Sequence, residues 1–319
     1  MTANPIETTG RAGLSPLARA VLWMVLALLS FSAIAIAGRE SGRSLPTNEL
    51  IFWRSLVGVA LLGAVYWLQG ESLGSVQTKV MPLHMVRSVV HFGAQYAWLY
   101  ALTLIPLAEL FALEFTSPLW VAVLAPVFLG ERLTSGRIAA AAIGFLGAIF
   151  VVEPGLFSGR LQMTASAGTL YAVASAVGFA SSMILTKLLT RTDPALRILF
   201  WMQVLQALIA VVILGAAGIR SGQWPLVGGL GTPLLVWGWV VVLGVAGLGA
   251  HFGLTRAFGL ADAIIVAPMD FLRLPLIAAV GALFYGETLR TSVAIGAAIV
   301  VLANAINMWA ERRAKARAG

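Results

Sequence analysis

One stretch of the chain carries polar side chains at spacings that fit a single face of a helix. His84, Arg87, His91 and Gln95 follow each other at i, i+3, i+7 and i+11, which places them on one stripe. Arginine can bind a carboxylate or phosphate through two parallel hydrogen bonds, and histidine can carry a proton near neutral pH. The flanking residues are apolar, so the stripe must face water or other protein groups. It could line a polar path, or it could hold neighbouring helices together through hydrogen bonds and ion pairs.

Six ionisable residues lie inside apolar segments. Their depth in the membrane can be estimated from the helix rise of about 1.5 Å per residue, and it places them in two layers. Three arginines against two acids leave one formal positive charge, which favours a ligand with a carboxylate or phosphate. Protonation of His91 or of either acid would change this count. The predicted outer layer contains Arg54, His91 and Glu114, and the predicted inner layer contains Arg87, Asp270 and Arg273.

Two prolines accompany the intramembrane acids. Pro118 lies inside an apolar segment and cannot donate a hydrogen bond to the carbonyl of Glu114, so we expect a helix kink beside that acid. Pro275 lies at a nearly equivalent position in a later segment. A bend that serves only helix packing is the alternative for both prolines. Several aromatic residues near the polar stripe could stack on a ring of a ligand, and these are Trp98, Trp120, Tyr96 and Phe115.

Motifs for catalysis and metal binding are absent from the sequence. No Gly-x-x-x-x-Gly-Lys-[Ser/Thr], Gly-x-Ser-x-Gly or His-Glu-x-x-His occurs, which argues against ATP-driven or hydrolytic chemistry. Zinc binding by His84, His91 and Glu114 would require backbone rearrangement, because the two histidines are two helical turns apart. We therefore expect no catalytic residue, no metal and no cofactor.

The composition excludes a soluble globular protein. The chain has 319 residues, of which 60% are hydrophobic and 11% charged, with a mean hydropathy of +0.92; soluble domains have about 25% charged residues. The absence of cysteine excludes disulfides, thiolate metal sites and a cysteine nucleophile. The net charge of +8 is scattered along an apolar chain, so we predict no nucleic-acid partner. The expected environment is a lipid bilayer.

Ten segments are long and apolar enough to cross about 30 Å of hydrocarbon. Placing the N-terminus in the cytoplasm puts 13 of the 21 lysines and arginines on the cytoplasmic side, five outside and three within the membrane. We therefore predict a multi-pass protein of the bacterial inner membrane with both termini cytoplasmic. The five outer residues are Arg39, Arg43, Arg160, Arg220 and Arg290. The ten segments are 17–38, 48–68, 80–102, 107–129, 136–153, 167–187, 196–218, 233–255, 263–285 and 291–310.

An internal repeat relates the two halves of the chain. Residues 129–134 resemble residues 285–290, and the same register pairs Glu114 with Asp270. Each half then contains five spans, and because five is odd, the second half enters the membrane inverted. We predict all-α repeats at 17–153 and 167–310, joined by a linker at 154–166 and flanked by tails at 1–16 and 311–319.

Several motifs are shared with a known superfamily. They are Phe52-Trp53-Arg54, Tyr100-Ala101-Leu102 with Ile105-Pro106-Leu107-Ala108-Glu109, and Gly130-Glu131-Arg132-Leu133. On these residues the chain resembles the drug/metabolite transporter superfamily, specifically ten-span carriers with two EamA-type repeats. His91-Phe92-Gly93 and the run from Glu109 to Phe115 are similar to a bacterial branch with riboflavin-type and S-adenosylmethionine-type carriers. The second repeat matches less well, since Arg256 replaces Tyr100 and Asp262 replaces Pro106.

The resemblance implies a secondary carrier in the plasma membrane, with neither import nor export favoured. We expect alternating-access transport of an anionic or zwitterionic solute, such as an amino acid, a nucleoside-like or a cofactor-like molecule, with a proton as a candidate coupling ion. A channel, a small-ion carrier or an intramembrane enzyme is the alternative, but layers of mixed charge fit an organic solute better than a channel. The sequence indicates no oligomeric state. The expected binding residues are Arg54, Arg87, His91, Gln95, Glu114, Asp270, Arg273, Trp98 and Trp120.

Overall fold

The computed structural model describes residues 15–71, 73–129, 135–152, 166–221, 231–260, 269–270 and 272–318. Within these ranges every regular element is a helix and no strand occurs, which confirms the predicted all-α class. Besides a short 3-10 helix (Leu73–Val76), the α-helices are α1 (Pro16–Gly42), α2 (Thr47–Leu68), α3 (Met81–Leu104), α4 (Leu107–Glu114), α5 (Ser117–Leu129), α6 (Ser135–Val152), α7 (Ala167–Leu189), α8 (Ala195–Ser221), α9 (Leu234–Leu260), α10 (Arg273–Tyr285) and α11 (Thr291–Ala318).

Six segments among the described residues are long and apolar enough to cross a membrane. Helix α3 has the length but is not among the six, because its polar stripe lowers its hydropathy. Many large apolar side chains of the other helices are exposed, including Leu29 of α1 and Val212 of α8, which suits contact with lipid. The six segments are Pro16–Gly42, Thr47–Leu68, Leu107–Phe128, Ala167–Leu189, Ala195–Ser221 and Leu234–Ala257.

The helices pack mainly in pairs: α1 with α9, α3 with α7, α2 with α8, and α6 with α11. Small residues allow close approach at two of these crossings. A Cβ atom on Gly178 of α7 would lie 2.7 Å from the Cβ of Ala94 on α3, and one on Gly253 of α9 would lie 2.8 Å from the carbonyl oxygen of Trp23 on α1. Such contacts join membrane helices without a need for polar groups.

Helix interruptions lie next to both intramembrane acids. Helix α4 ends at Glu114 and α5 begins at Ser117, so Pro118 occupies the first turn of a new helix instead of the interior of a long one. The freed carbonyl of Glu114 accepts a hydrogen bond of 2.7 Å from the Ser117 hydroxyl. Pro275 likewise lies in the first turn of α10, which begins three residues after Asp270. Proline fits these positions because first-turn amides have no intrahelical partner.

Arg39 departs from its expected place in an outer loop. It lies inside α1, is only 8% exposed and forms an ion pair with Glu287. Its Nε donates to the carbonyl of Leu102 at 2.8 Å and its Nη2 to that of Ile105 at 2.6 Å. Helix α1 extends beyond the predicted end of the span at 38, and the last turn of α3 and the residue that follows it offer carbonyls that no helix uses. Arg39 therefore ties helices together and is not a solvated charge.

Candidate functional site

Arg273 connects two carboxylates in the interior of the helical bundle. Its Nη1 lies 3.2 Å from Glu114 Oε1 and its Nη2 lies 3.2 Å from Asp270 Oδ2. The Nε1 of Trp98 donates to the other Glu114 oxygen at 2.7 Å. We call these four residues the central ion cluster. Trp98 comes from α3, Glu114 from the end of α4, Arg273 from the start of α10, and Asp270 lies three residues before α10. The cluster thus joins the first and second halves of the chain.

Three phenylalanine rings surround the same guanidinium group. The Cζ atom of Arg273 lies 4.2 Å from the ring centre of Phe31, 4.7 Å from that of Phe115 and 5.5 Å from that of Phe111. We refer to these rings as the phenylalanine cage. A cation over an aromatic face is attracted by the ring quadrupole, more strongly where water is excluded. The Arg273 side chain is 9% exposed, so the cage and the acids together enclose it.

The central ion cluster contradicts the predicted separation into two layers. Glu114 was expected in the outer layer and Arg273 in the inner one, but the two form an ion pair. The depth estimate assumed continuous straight helices, and the interruptions at Glu114 and before Arg273 break that assumption. The long arginine side chain also reaches beyond the level of its own backbone. Glu114 and Asp270 therefore share one arginine.

Arg54 and Arg87 are buried cations with unused hydrogen-bond donors. They are 7% and 6% exposed, and in each the Nη1 atom is buried without a partner among the described residues. Arg87 Nε donates to the Thr186 hydroxyl at 3.1 Å. Arg54 lies beside α9 where that helix has Gly247, whose Cβ, if present, would be 3.5 Å from Arg54 Nη2. An incoming anion could accept hydrogen bonds from both guanidinium groups.

The polar stripe on α3 faces α7. His91 Nδ1 shares a hydrogen bond of 3.2 Å with the Ser182 hydroxyl, one turn before Thr186, the partner of Arg87. Sequence reasoning missed Ser182 and Thr186, although two hydroxyl residues four apart in an apolar span were a usable signal. The Gln95 side chain is buried and its Oε1 has no partner within the described ranges.

The stripe ends in a polar contact at the turn between α7 and α8. Asp193 Oδ2 lies 2.8 Å from His84 Nε2 and accepts a hydrogen bond of 2.5 Å from Thr78, while Arg197 binds Oδ1 at 2.8 Å. Burial opposes the charge on Asp193, but the hydrogen bonds from His84, Thr78 and Arg197 prevail and lower its pKa to about 2. His84 is therefore a structural residue.

The suggested zinc ligands do not meet. His84 binds Asp193, His91 binds Ser182 and Glu114 binds Arg273. No group of three or more histidine, aspartate or glutamate side chains that could hold a metal ion occurs in the part of the chain that the structure describes.

His251 of α9 joins the buried cations. It interacts electrostatically with Arg54, Arg87 and Arg273, and His91 does so with Arg54, Arg87 and His251. We call Arg54, Arg87, His91 and His251 the basic cluster. His251 is exposed, whereas Arg54 and Arg87 are buried. Gly253, two residues further along α9, packs against α1.

The remaining aromatic candidates have different surroundings. Trp98 belongs to the central ion cluster and Phe115 to the phenylalanine cage. Trp120 lies against Phe145 of α6, with ring centres 4.5 Å apart, and Tyr96 stacks on Tyr100. The structure thus brings Trp98 and Phe115 to the charged centre and gives Trp120 a packing contact.

Comparisons with known proteins identify the relatives of this chain. The model of the EamA-like transporter family matches residues 18–153. A riboflavin transporter of Rhizobium johnstonii is 31% identical over 294 residues, which cover 92% of this chain and 91% of the relative. An S-adenosylmethionine uptake transporter of Rickettsia felis is 25% identical, covering 92% and 94%. A pseudopaline exporter of Pseudomonas aeruginosa is 28% identical, covering 89% and 93%.

A solved structure shares the fold. This crystal structure aligns with a TM-score of 0.59 at 23% identity over 92% of this chain and 98% of its own. The relatives and the apolar helices make this chain a multi-pass membrane transporter and not an enzyme. With 31% identity to a full-length relative and a family match over residues 18–153, the chain belongs to the EamA-like transporters of the drug/metabolite transporter superfamily.

Proposed function

We propose that this protein is a secondary carrier that moves an anionic or zwitterionic organic metabolite across the membrane. The observation that carries the proposal is the pair of buried arginines, Arg54 and Arg87, whose Nη1 atoms have no partner in the described part of the chain. A buried cation with unused donors is costly unless an anion supplies the missing acceptors. A carboxylate or phosphate of the solute provides them, and His91 and His251 interact electrostatically with the same two arginines.

The proposed mechanism is alternating access by two inverted five-span repeats, 17–153 and 167–310. The family match at residues 18–153 supports the boundary of the first repeat. The repeat makes α1 equivalent to α7 and α3 equivalent to α9. The pair α1–α9 in the structure is therefore equivalent to the pair α7–α3, and both pairs pack closely. Glu114 and Asp270, which the repeat also relates, both lie beside a helix interruption. Interrupted helices around a shared site are typical of such carriers.

The solute is a small organic molecule in this proposal. Relatives are named for riboflavin, S-adenosylmethionine and pseudopaline, and both uptake and export occur among these names. We therefore specify a carrier without a direction. The location is the bacterial inner membrane, with residues 1–16 and 311–319 in the cytoplasm.

A proton is the proposed coupling ion. Glu114 and Asp270 share Arg273, so the central ion cluster retains one negative charge that a proton can neutralise. Charge at membrane depth is costly, so its neutralisation would favour the conformational change. Glu114, Asp270 and His91 are the groups able to carry this proton.

The test begins with the identity of the solute. A metabolite panel that compares expressing with non-expressing cells reports both substrate and direction. The purified carrier is then assayed with that solute in proteoliposomes. Arg54→Ala and Arg87→Ala should each lower the initial rate by about tenfold or more, since a hydrogen bond to a charged group is worth about 1.5–3 kcal/mol.

Arg191→Ala is the matched control for these variants. This arginine is exposed in the turn after α7, away from the basic cluster, and its loss should leave the rate within about twofold. Wild-type rates in both Arg54→Ala and Arg87→Ala at equal expression would refute the assigned site. A linear, non-saturating flux would refute a carrier.

A further inference from the structure

The surroundings of Arg273 match those of a binding site for an organic cation. Two carboxylates, Glu114 and Asp270, each lie 3.2 Å from its guanidinium nitrogens. The ring centres of Phe31 and Phe115 lie 4.2 Å and 4.7 Å from its Cζ atom. Acidic oxygens combined with aromatic faces are the groups that bind cationic ligands. We refer to the two acids and the phenylalanine cage together as the cation cage.

Arg273 does not use all the hydrogen bonds that the cation cage offers. Within the described residues its Nε has no acceptor and Asp270 Oδ1 is buried without a donor. Its two contacts to the acids are longer than the 2.7–2.9 Å usual for charged pairs. All guanidinium nitrogens of Arg39, by contrast, form hydrogen bonds. Arg39 is fully bonded, whereas Arg273 is an incompletely bonded occupant that another cation can replace.

The backbone at this point permits such a replacement. Arg273 is the first residue of α10, and Glu114 is the last residue of α4. The backbone at a helix end can change its dihedral angles, and so redirect a side chain, without breaking the hydrogen bonds of a helix interior. Pro275 lies two residues further on, so this first turn of α10 also lacks one amide donor.

We propose that the cation cage is a substrate site that Arg273 fills while the carrier is empty. A cationic nitrogen of the solute displaces Arg273 from Glu114 and Asp270 when it binds. This inference rests on the proposed carrier function, and it sharpens the solute class to a zwitterion. The anionic group of the solute meets Arg54 and Arg87, and its cationic group enters the cage.

The internal cation also has a role in the transport cycle. Without solute and without Arg273, Glu114 and Asp270 would be two negative charges without a cationic partner, a costly arrangement at membrane depth. Arg273 neutralises one of these charges, and a proton can neutralise the other. The empty carrier can then return to its starting conformation. Arg273 should therefore matter more for net transport, which requires this return, than for exchange of solute for solute.

A binding experiment with guanidinium chloride tests the cage without any transport. In Arg273→Ala, millimolar guanidinium should fill the vacated cage and raise the unfolding temperature in a saturable manner. The wild type, whose cage is filled by Arg273, should not respond, and neither should the double variant Arg273→Ala/Glu114→Gln. Arg256→Ala is the matched control, because Arg256 also lies over a phenylalanine ring, 5.3 Å from Phe252, but is exposed. An equal response of Arg273→Ala and Arg256→Ala would overturn the proposal.

Arg273→Gln fills more of the space and provides a second variant if Arg273→Ala does not fold. Net transport and exchange of the solute identified by the metabolite panel are measured with it in proteoliposomes. The ratio of net transport to exchange should fall by about tenfold or more relative to wild type. An unchanged ratio would show that Arg273 has no role in the return of the empty carrier, and would overturn that part of the proposal.

The carrier function and the cation cage can be refuted independently of each other. If Arg273→Ala binds guanidinium saturably but the wild type transports no solute, the proposed carrier function is refuted and the proposed cation cage is retained. Transport that depends on Arg54 and Arg87, without guanidinium binding by Arg273→Ala or by Arg273→Gln, would refute the cage and retain the carrier.

Discussion

Arg39 and Glu287, which are 248 positions apart in the sequence, form an ion pair between α1 and the turn that follows α10. Glu287 also accepts a hydrogen bond of 2.9 Å from the backbone amide of Leu107, at the start of α4. A second ion pair, between Glu109 and Arg290, lies at the same end of the bundle. Both pairs connect the first half of the chain to the second. This end is therefore closed by contacts that the halves must break if they separate there.

Removal of Arg39 should destabilise the protein strongly. Arg39→Ala leaves Glu287 without its cation and two backbone carbonyls without donors, and breaking a buried pair costs about 3–5 kcal/mol. Thermal unfolding in detergent measures the loss. The control is Arg43→Ala, since Arg43 lies at the same end with a side chain that is 59% exposed and bound to Glu40; its loss should cost less than about 1 kcal/mol. Equal effects of the two variants would contradict the structural role of Arg39.

Glu114→Gln tests the role of the negative charge of Glu114, because it removes the charge and keeps the shape of the side chain. Glutamine retains an acceptor for Trp98 but removes the negative charge that faces Arg273. We expect normal expression, a large loss of solute transport and no response to an imposed pH gradient. The measurement is initial uptake into proteoliposomes with and without a gradient. A variant that responds to the gradient like the wild type would exclude Glu114 as the proton carrier.

The contact at Asp193 predicts a specific acid sensitivity. Its pKa of about 2 in the folded protein lies below the value of about 3.9 for an unfolded chain. The stability that its charge provides is therefore complete above about pH 4 and is lost as the pH falls towards 2. The unfolding temperature of wild type should exceed that of Asp193→Asn at neutral pH, and the difference should shrink below about pH 4. A difference that stays constant to pH 2.5 would refute this assignment.

The helical class and the positions of the buried charges followed from the sequence, because both depend on local composition. Arg54, Arg87, Glu114, Asp270 and Arg273 all stood out as ionisable residues in apolar segments. Their partners did not, since helix periodicity does not show which neighbour a side chain faces, and a depth counted along a straight helix fails at helix interruptions. The pairing of Glu114 with Arg273 depends on two helix interruptions and on how distant segments pack.

Arg39 illustrates a different limit of prediction from the sequence. The prediction of membrane orientation assumes that arginines near the ends of spans are in contact with water. This assumption holds for Arg43 but not for Arg39. The difference arises from the partner Glu287 and from the carbonyls of Leu102 and Ile105 at the end of α3. Both are far away in sequence, so no local pattern reveals them. The three phenylalanines around Arg273 were equally hidden, because phenylalanine in an apolar span carries no signal of its own.

Ser44 and Thr192 provide a direct test of the inverted repeat. In the first part of each repeat the register is slightly different and pairs Phe52-Trp53 with Phe200-Trp201 and Pro46 with Pro194. This register makes Ser44 and Thr192 equivalent, and both are exposed in turns between helices. Inversion of the second repeat places Ser44 outside the cell and Thr192 inside. The chain contains no cysteine, so Ser44→Cys and Thr192→Cys each introduce a single thiol. A membrane-impermeant thiol reagent should label Ser44→Cys in intact cells and Thr192→Cys only after permeabilisation. Labelling of both in intact cells would mean that the repeats are parallel, and alternating access by inverted halves would then be refuted.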